Sequence, residues 1–453
     1  MDFISINPYT NQQIATYSEL SEEALNQKII KGQSAFEAWR TVSFEVRAKV
    51  FIKAAEILRT KTEIYAQTIT LEMGKPIAEA RLEVEKCAWV CEYYAENAER
   101  FLATKTIETD AHESYVVYEP LGGVLAIMPW NFPFWQVFRF VAPTLMAGNV
   151  GLLKHAANVM GSAIHIEEIL TEAGLPDGVF QNLIIGHETV ERLIANPFVK
   201  AVTLTGSERA GSAVAAAAGK NIKKSLLELG GSNAFVVLAD ADLDKTTDVA
   251  IAARYRNSGQ SCIAGKRFIV VAEVYDAFLS LFKEKVAALK SGDPMQEGIQ
   301  IGTLAKADFA INLHKQVTDS IEMGAEVMIG GTYNGAYYAP TILVNVNAKM
   351  PVFREEVFGP VAPIMKVKNA EEALNVAKDT AFGLGISIFT QDLQKVKTYI
   401  SQVADASFFV NELVKSDPRL PFGGTGISGY GRELSQEGIL EFVNVKTVYI
   451  KKF

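Results

Sequence analysis

Cysteine is scarce in this chain: three residues in 453, too few for a disulfide framework, and their number points to a reducing, cytoplasmic setting. Cys87 and Cys91 stand four apart in a helical pattern, without the CxxC or Cys/His spacing of a zinc site. They read as helix packing, and no metal is expected. Positive charge is also short. Against 52 Asp and Glu there are 44 Lys and Arg, a net charge of -8, which argues against a nucleic-acid partner. Long apolar runs are missing too. The most apolar stretch, 124–153, is broken by Pro129, Asn131, Pro133, Arg139, Pro143 and Asn149, so no run of about 18 residues survives to cross a membrane. It reads as a buried segment lining a site. The opening MDFISINPYT has no basic start and apolar run, so no signal peptide is expected. What remains is the composition of an ordinary globular protein, long enough for about two to four domains.

Periodicity gives the organisation. Ser21 reads as the N-cap of a helix ending near Trp39. A long amphipathic helix is expected over 44–71, and a second over 77–102 after the stop Met73-Gly74-Lys75-Pro76. Residues 104–118 read as strand. From Val124 onward strands (123–128, 150–154, 181–185, 201–205, 226–229, 235–238) alternate with helices such as 156–173 and 189–196. That pattern predicts an α/β fold, a parallel sheet covered by helices with ligands at the carboxyl ends of its strands. A second alternating region runs from Asp244 to about Val414. The tail, 442–453, reads as a strand open to pairing with another chain.

Chemistry concentrates around Asn257–Arg267, NSGQSCIAGKR. Cys262 lies between glycines, with Lys266 and Arg267 nearby to favour its thiolate. It is either a presented nucleophile or a buried structural thiol, and a Cys-His hydrolase stays open. Glu228, in the apolar strand LLELGG, is either a general base with a raised pKa or half of an ion pair. Asn131, in MPWNFP, is either an oxyanion donor or a turn cap. Lys154 ends one strand. Thr205-Gly206-Ser207 ends another and starts a helix, a place for phosphate. Two patterns mislead. Gly424 to Gly429 fits GxGxxG but not between a strand and a helix, and Gly219-Lys220 is followed by Asn221, so there is no P-loop.

In order along the chain, PWNFP (129–133), LLK (152–154), TGS (205–207), LELGG (227–231), GQSC (259–262), EEVFGP (355–360), PFGG (421–424) and SGYGRE (428–433) resemble the aldehyde dehydrogenase superfamily. The resemblance spans most of the chain. It implies a Rossmann-type dinucleotide-binding domain (1–103 and 119–229), an α/β catalytic domain (230–430) and a small β oligomerisation flap (104–118 with 431–453). A homodimer or homotetramer follows from it. It implies Cys262 as nucleophile, Asn131 as oxyanion donor and Glu228 as the base for water. NAD or NADP would be held by Trp130, Lys154, Gly206, Ser207, Leu229, Glu356 and Phe358. Many NAD-preferring relatives carry glutamate three residues after the lysine. Ala157 stands there here, so a 2′-phosphate would meet no like charge.

Arg139, Arg256 and, more weakly, Ser416 match positions that bind the substrate carboxylate in succinate-semialdehyde dehydrogenases. Their alternative is structural salt bridging. The implied reaction is oxidation of succinate semialdehyde, another semialdehyde or a neutral aliphatic aldehyde; a CoA-acylating enzyme is a further alternative. Two departures stand out. Thr425-Gly426 follows PFGG where many relatives have an apolar residue and a lysine. Ala264 replaces the second cysteine of redox-switched relatives, so no disulfide regulation is expected.

Overall fold

The computed structural model describes residues 2–453, built on two large sheets. The first has six strands in the order Gly429–Tyr430, Lys224–Glu228, Val199–Thr205, Gly123–Met128, Val150–His155, Phe180–Asn182. All are parallel except Gly429–Tyr430, which runs antiparallel to the Glu228 end of its neighbour. The central strands are near-continuous Val, Leu, Ile and Ala, and almost wholly buried, as a sheet covered on both faces requires. From Gly123–Met128 the chain builds outward to Phe180–Asn182, then returns to lay Val199–Thr205 on the other side. The strand order reverses there. Loops leaving such a point diverge and open a crevice.

The second sheet has seven strands in the order Glu326–Ile329, Thr341–Val344, Val361–Val367, Gly265–Val271, Asn233–Val237, Ile386–Phe389, Phe408–Val410, with only Glu326–Ile329 antiparallel. Cys262 lies just before Gly265–Val271, a strand buried at every residue. A third, antiparallel sheet pairs Val443–Ile450 with Glu113–Pro120 and Lys105–Thr106. The 104–118 strand and the tail strand, which the family resemblance assigns to one flap, pair here.

The Ser21 hydroxyl accepts the Ala24 N–H and caps Glu22–Trp39, as expected. The helix expected over 44–71 is instead two, Phe44–Thr60 and Thr62–Met73, broken at Lys61. Thr60 and Thr62 each donate to a carbonyl four residues back (2.8 and 2.9 Å), a bond that bends helices. The strand expected to reach Leu229 stops at Glu228, because the Leu229 N–H turns to Ser428 O. The strand expected over 181–185 is only Phe180–Asn182. The long helix Ile77–Phe101 packs against Phe44–Thr60 and against Trp135–Met146. Its Glu83 accepts the N–H groups of Phe134 (2.9 Å) and Trp135 (3.0 Å), satisfying the open end of that second helix. Buried Lys75 neutralises Glu83.

Candidate active site

Two clefts meet at Cys262. The first, of about 520 Å³, opens at the switch point. Trp130 and Asn131 enter it after one strand, Gly206 and Ser207 after the next, Leu229 and Gly230 after a third, and Glu356 and Phe358 from across. Trp130 stacks on Phe309 (4.9 Å) and meets Phe358 edge-on (5.8 Å), giving one apolar wall. Ser207 caps the helix Glu208–Lys220, whose N-terminal partial positive charge faces this end of the sheet. A Cβ at Gly230 would collide with the carboxylates of Glu208 and Glu356, so only glycine fits there. An apolar wall and a helix N-terminus at a strand-order switch together fit a dinucleotide.

Glu356 accepts the Gly231 N–H (3.0 Å) and is ion-paired with buried Lys266, which pins it to the cleft wall. Lys154 does not line this cleft. It ends the next strand outward, where burial lowers its pKa and the Glu188 carboxylate opposes that shift. Glu188, from the turn after Phe180–Asn182, supplies a negative charge near this lysine through space.

The loop before Cys262 is strained. Asn257 (φ 53°), Ser258 (φ 51°) and Gly259 (φ 76°) are consecutively left-handed. Such backbone persists only where its surroundings over-determine it. Fully buried Arg254 donates to the carbonyls of Gly259 (2.8 Å), Gly359 (2.6 Å), Val357 (3.2 Å) and Gly265 (3.2 Å). Glu79 accepts the Asn257 N–H at 2.6 Å. The Asn257 side chain donates to Asn131 O (2.8 Å), and the Asn131 side chain donates to Gln260 O (3.2 Å). Asn131 is thus tied to the loop that carries Cys262, with its second amide N–H left over.

The surroundings of Cys262 favour its thiol, against the thiolate expectation. Burial pushes it up to about 11, against the pull of Lys266 and Arg139. The Lys266 ammonium bonds Gly231 O (2.5 Å) and Cys262 O (3.1 Å), and Glu356 neutralises it. Arg267 turns away, to the carbonyls of Ser232, Val376 and Ala377. Glu228 lines neither cleft. It is buried beneath the 422–433 segment, and its oxygens make no good hydrogen bond. Burial, and then Glu433, push it up to about 8, with Arg139 and Arg432 opposing. The GxGxxG match at 424–429 is no phosphate loop. Its Thr425–Gly426 pairs with Phe382–Gly383, and its last residue opens the short antiparallel strand Gly429–Tyr430 beside Glu228.

The second cleft, of about 230 Å³, brings Arg139, Arg256 and Ser416 together with Cys262, as the sequence predicted. Arg139 already has a partner. Its guanidinium is ion-paired with buried Glu433 (2.6 Å) and donates to Thr205 (3.2 Å). Arg256 is exposed at the rim. Sequence reasoning missed Glu79 and Lys86 in this cleft. Their signal was the spacing 79, 83, 86, which sets three charges on one face of the long helix beside its apolar stripe.

Two mostly parallel sheets, with a thiol on a braced loop between two clefts, define an α/β fold with a candidate catalytic cysteine. The model of the Aldehyde dehydrogenase family matches residues 1–448, and the chain belongs to that family. It is 48% identical over 453 residues to a probable succinate-semialdehyde dehydrogenase [NADP(+)] of Synechocystis sp., covering 99% of this chain and all of that protein. To the succinate-semialdehyde dehydrogenase [NADP(+)] 1 of Mycobacterium tuberculosis it is 43% identical over 456 residues, again covering 99% and 100%. Among solved structures, the succinic semialdehyde dehydrogenase of Streptococcus pyogenes in complex with NADP+ superposes with a TM-score of 0.97 at 38% identity, covering 99% of this chain and 100% of that one.

Proposed function

We propose that this enzyme oxidises succinate semialdehyde to succinate with NADP+, accepting NAD+ as well, through Cys262. The observation that carries the reading is that Cys262 is the residue common to both clefts. A cofactor on one side and an aldehyde on the other can therefore reach one sulfur. Cys262 loses its proton and attacks the aldehyde carbon, giving a thiohemiacetal. The free Asn131 amide N–H and the Cys262 backbone N–H hold the oxyanion. When bound, the nicotinamide supplies the hydride acceptor that leaves a thioester on Cys262. Glu228, its pKa raised, then takes a proton from the attacking water and the acid departs. Trp130, Gly206, Ser207, Leu229, Glu356 and Phe358 hold the cofactor near the first cleft, and Lys154 reaches it from the next strand.

The cations of the second cleft suit an aldehyde with a distal carboxylate. The names of the relatives support both that substrate and NADP+. Residues 1–103 and 119–229 serve cofactor binding, 230–430 catalysis, and the three-stranded flap assembly into a homodimer or homotetramer. No helix among the described residues is long and apolar enough to cross a membrane. With its three free thiols, the enzyme is assigned to the cytoplasm. A second reading, a neutral aliphatic aldehyde, draws on the Arg139–Glu433 pair, which removes one cation from the carboxylate count.

Reduction of NADP+ and of NAD+ with succinate semialdehyde and with butanal, at matched concentrations, decides between them. Strong preference for the semialdehyde is expected. Equal or better turnover of butanal refutes the substrate reading.

A further inference from the structure

The second cleft contains a cation that the steps above do not use. Lys86, on the long helix, donates to Ser416 Oγ at 2.7 Å, and its ammonium lies 4.1 Å over the Trp135 ring. No carboxylate among the described residues forms an ion pair with it, whereas Arg139 is committed to Glu433. The acids around it are spent elsewhere. Glu83, on its own helix, serves Lys75 and two backbone N–H groups. Glu79, on the same helix, holds the Asn257 N–H, and Asp417, on the facing loop, is paired with Arg419 (2.7 Å). Arg139 from the Trp135–Met146 helix, Arg256 after Leu243–Tyr255, and Lys415, itself paired with Glu412 (2.7 Å), complete the charged surroundings, with Cys87 behind. The cleft thus holds positive charge that the protein does not balance.

Because Lys86 is the donor in its bond to Ser416, the serine's own proton is free to point elsewhere. Two donors less than 3 Å apart suit the two oxygens of one carboxylate. We propose that Lys86, with Ser416, is the specificity-determining clamp for the substrate's distal carboxylate, and that Arg139 mainly fixes the cleft wall through Glu433. This rests on the reading of the substrate as an acidic aldehyde. One consequence is pH dependence. Burial, and then Arg139, push Lys86 down to about 8. The KM for an acidic aldehyde therefore climbs as pH rises through that range, while the KM for a neutral one does not.

The test is steady-state kinetics of the full-length enzyme and of K86M with succinate semialdehyde and butanal from pH 6.5 to 9.5. In K86M the KM for the semialdehyde rises about 30-fold, as loss of a charged hydrogen bond predicts, and the loss falls on KM rather than kcat. The semialdehyde-to-butanal ratio of kcat/KM falls by a similar factor, the alkaline rise in KM disappears, and K86R recovers most of the preference. K86Q, which keeps a donor without the charge, carries the same test should K86M not fold. An equal loss for both aldehydes, or an unchanged semialdehyde KM, overturns the proposal. A wild-type enzyme that handles butanal as well as the semialdehyde overturns the substrate reading itself, and the proposal with it, before any variant is made.

Discussion

Glu228→Gln removes a base while keeping its shape. Burial and Glu433 push the native carboxyl up to about 8. At pH 7 about one molecule in ten then carries the carboxylate, and at pH 9 about nine in ten. Where water attack on the thioester limits turnover, kcat of the native enzyme rises several-fold between those values. E228Q still forms the thioester but has no base to clear it. Stopped-flow recording of reduced cofactor should show a burst of one equivalent per site, then a steady rate lower by about 10² to 10⁴. Rapid turnover without a burst in E228Q, or a flat native profile from pH 6 to 9, refutes the argument. Stability gives a second readout. A carboxyl whose folded pKa lies above its unfolded value favours folding least at high pH. Stability is therefore lost as pH rises from about 4.5 to about 8. E228Q lacks this cost, so it melts above the wild type at pH 8, and the two converge near pH 4.

Three further expectations follow from the same geometry. A157E places a carboxylate beside Lys154 and raises the KM for NADP+ about tenfold relative to that for NAD+; an unchanged ratio would show that residue 157 does not face the 2′ position. R254M strands the carbonyls of Gly259, Val357 and Gly359, costing about 3 kcal/mol or more in denaturant unfolding, with activity falling as well; a variant of native stability and rate would contradict the bracing role. Alkylation of Cys262 by iodoacetamide in the free enzyme accelerates steadily from pH 7 to 10, as a thiol pushed up to about 11 requires, and a plateau below pH 8 would mean a thiolate at rest.

Much of the parallel sheet was legible because both of its faces are covered, which writes apolar runs directly into the chain. Gly123–Met128 matches its sequence range, and the Ser21 cap was marked by its hydroxyl and two following acids. Motifs at strand ends brought Cys262, Asn131, Gly206 and Ser207 to one cleft, because strand ends are where side chains converge. What stayed hidden was pairing across distance. Nothing local to Arg139 announces Glu433, and nothing local to Glu228 announces its cover from 422–433. Lys86 and Glu79 were lost for a different reason: a charge on an amphipathic helix reads as solvated unless the helix opposite is known. The thiolate expectation failed mainly on burial, which outweighs the pull of Lys266 and Arg139, while Arg267, close in sequence, turns to the carbonyls of Ser232 and Val376.

The antiparallel strand at Gly429–Tyr430 also sets a schedule. Ribosomes release the chain from its N-terminus, so Lys224–Glu228 emerges roughly two hundred residues before the strand that covers it. At ordinary elongation speeds that gap lasts roughly 10 to 40 seconds. Throughout it Glu228 lacks the 422–433 segment that packs over it, and Arg139 lacks its counter-ion. The Cys262 loop gains its last braces with Val357 and Gly359, still roughly seventy residues before the cover of Glu228, so the complete site forms only with the closing stretch of translation.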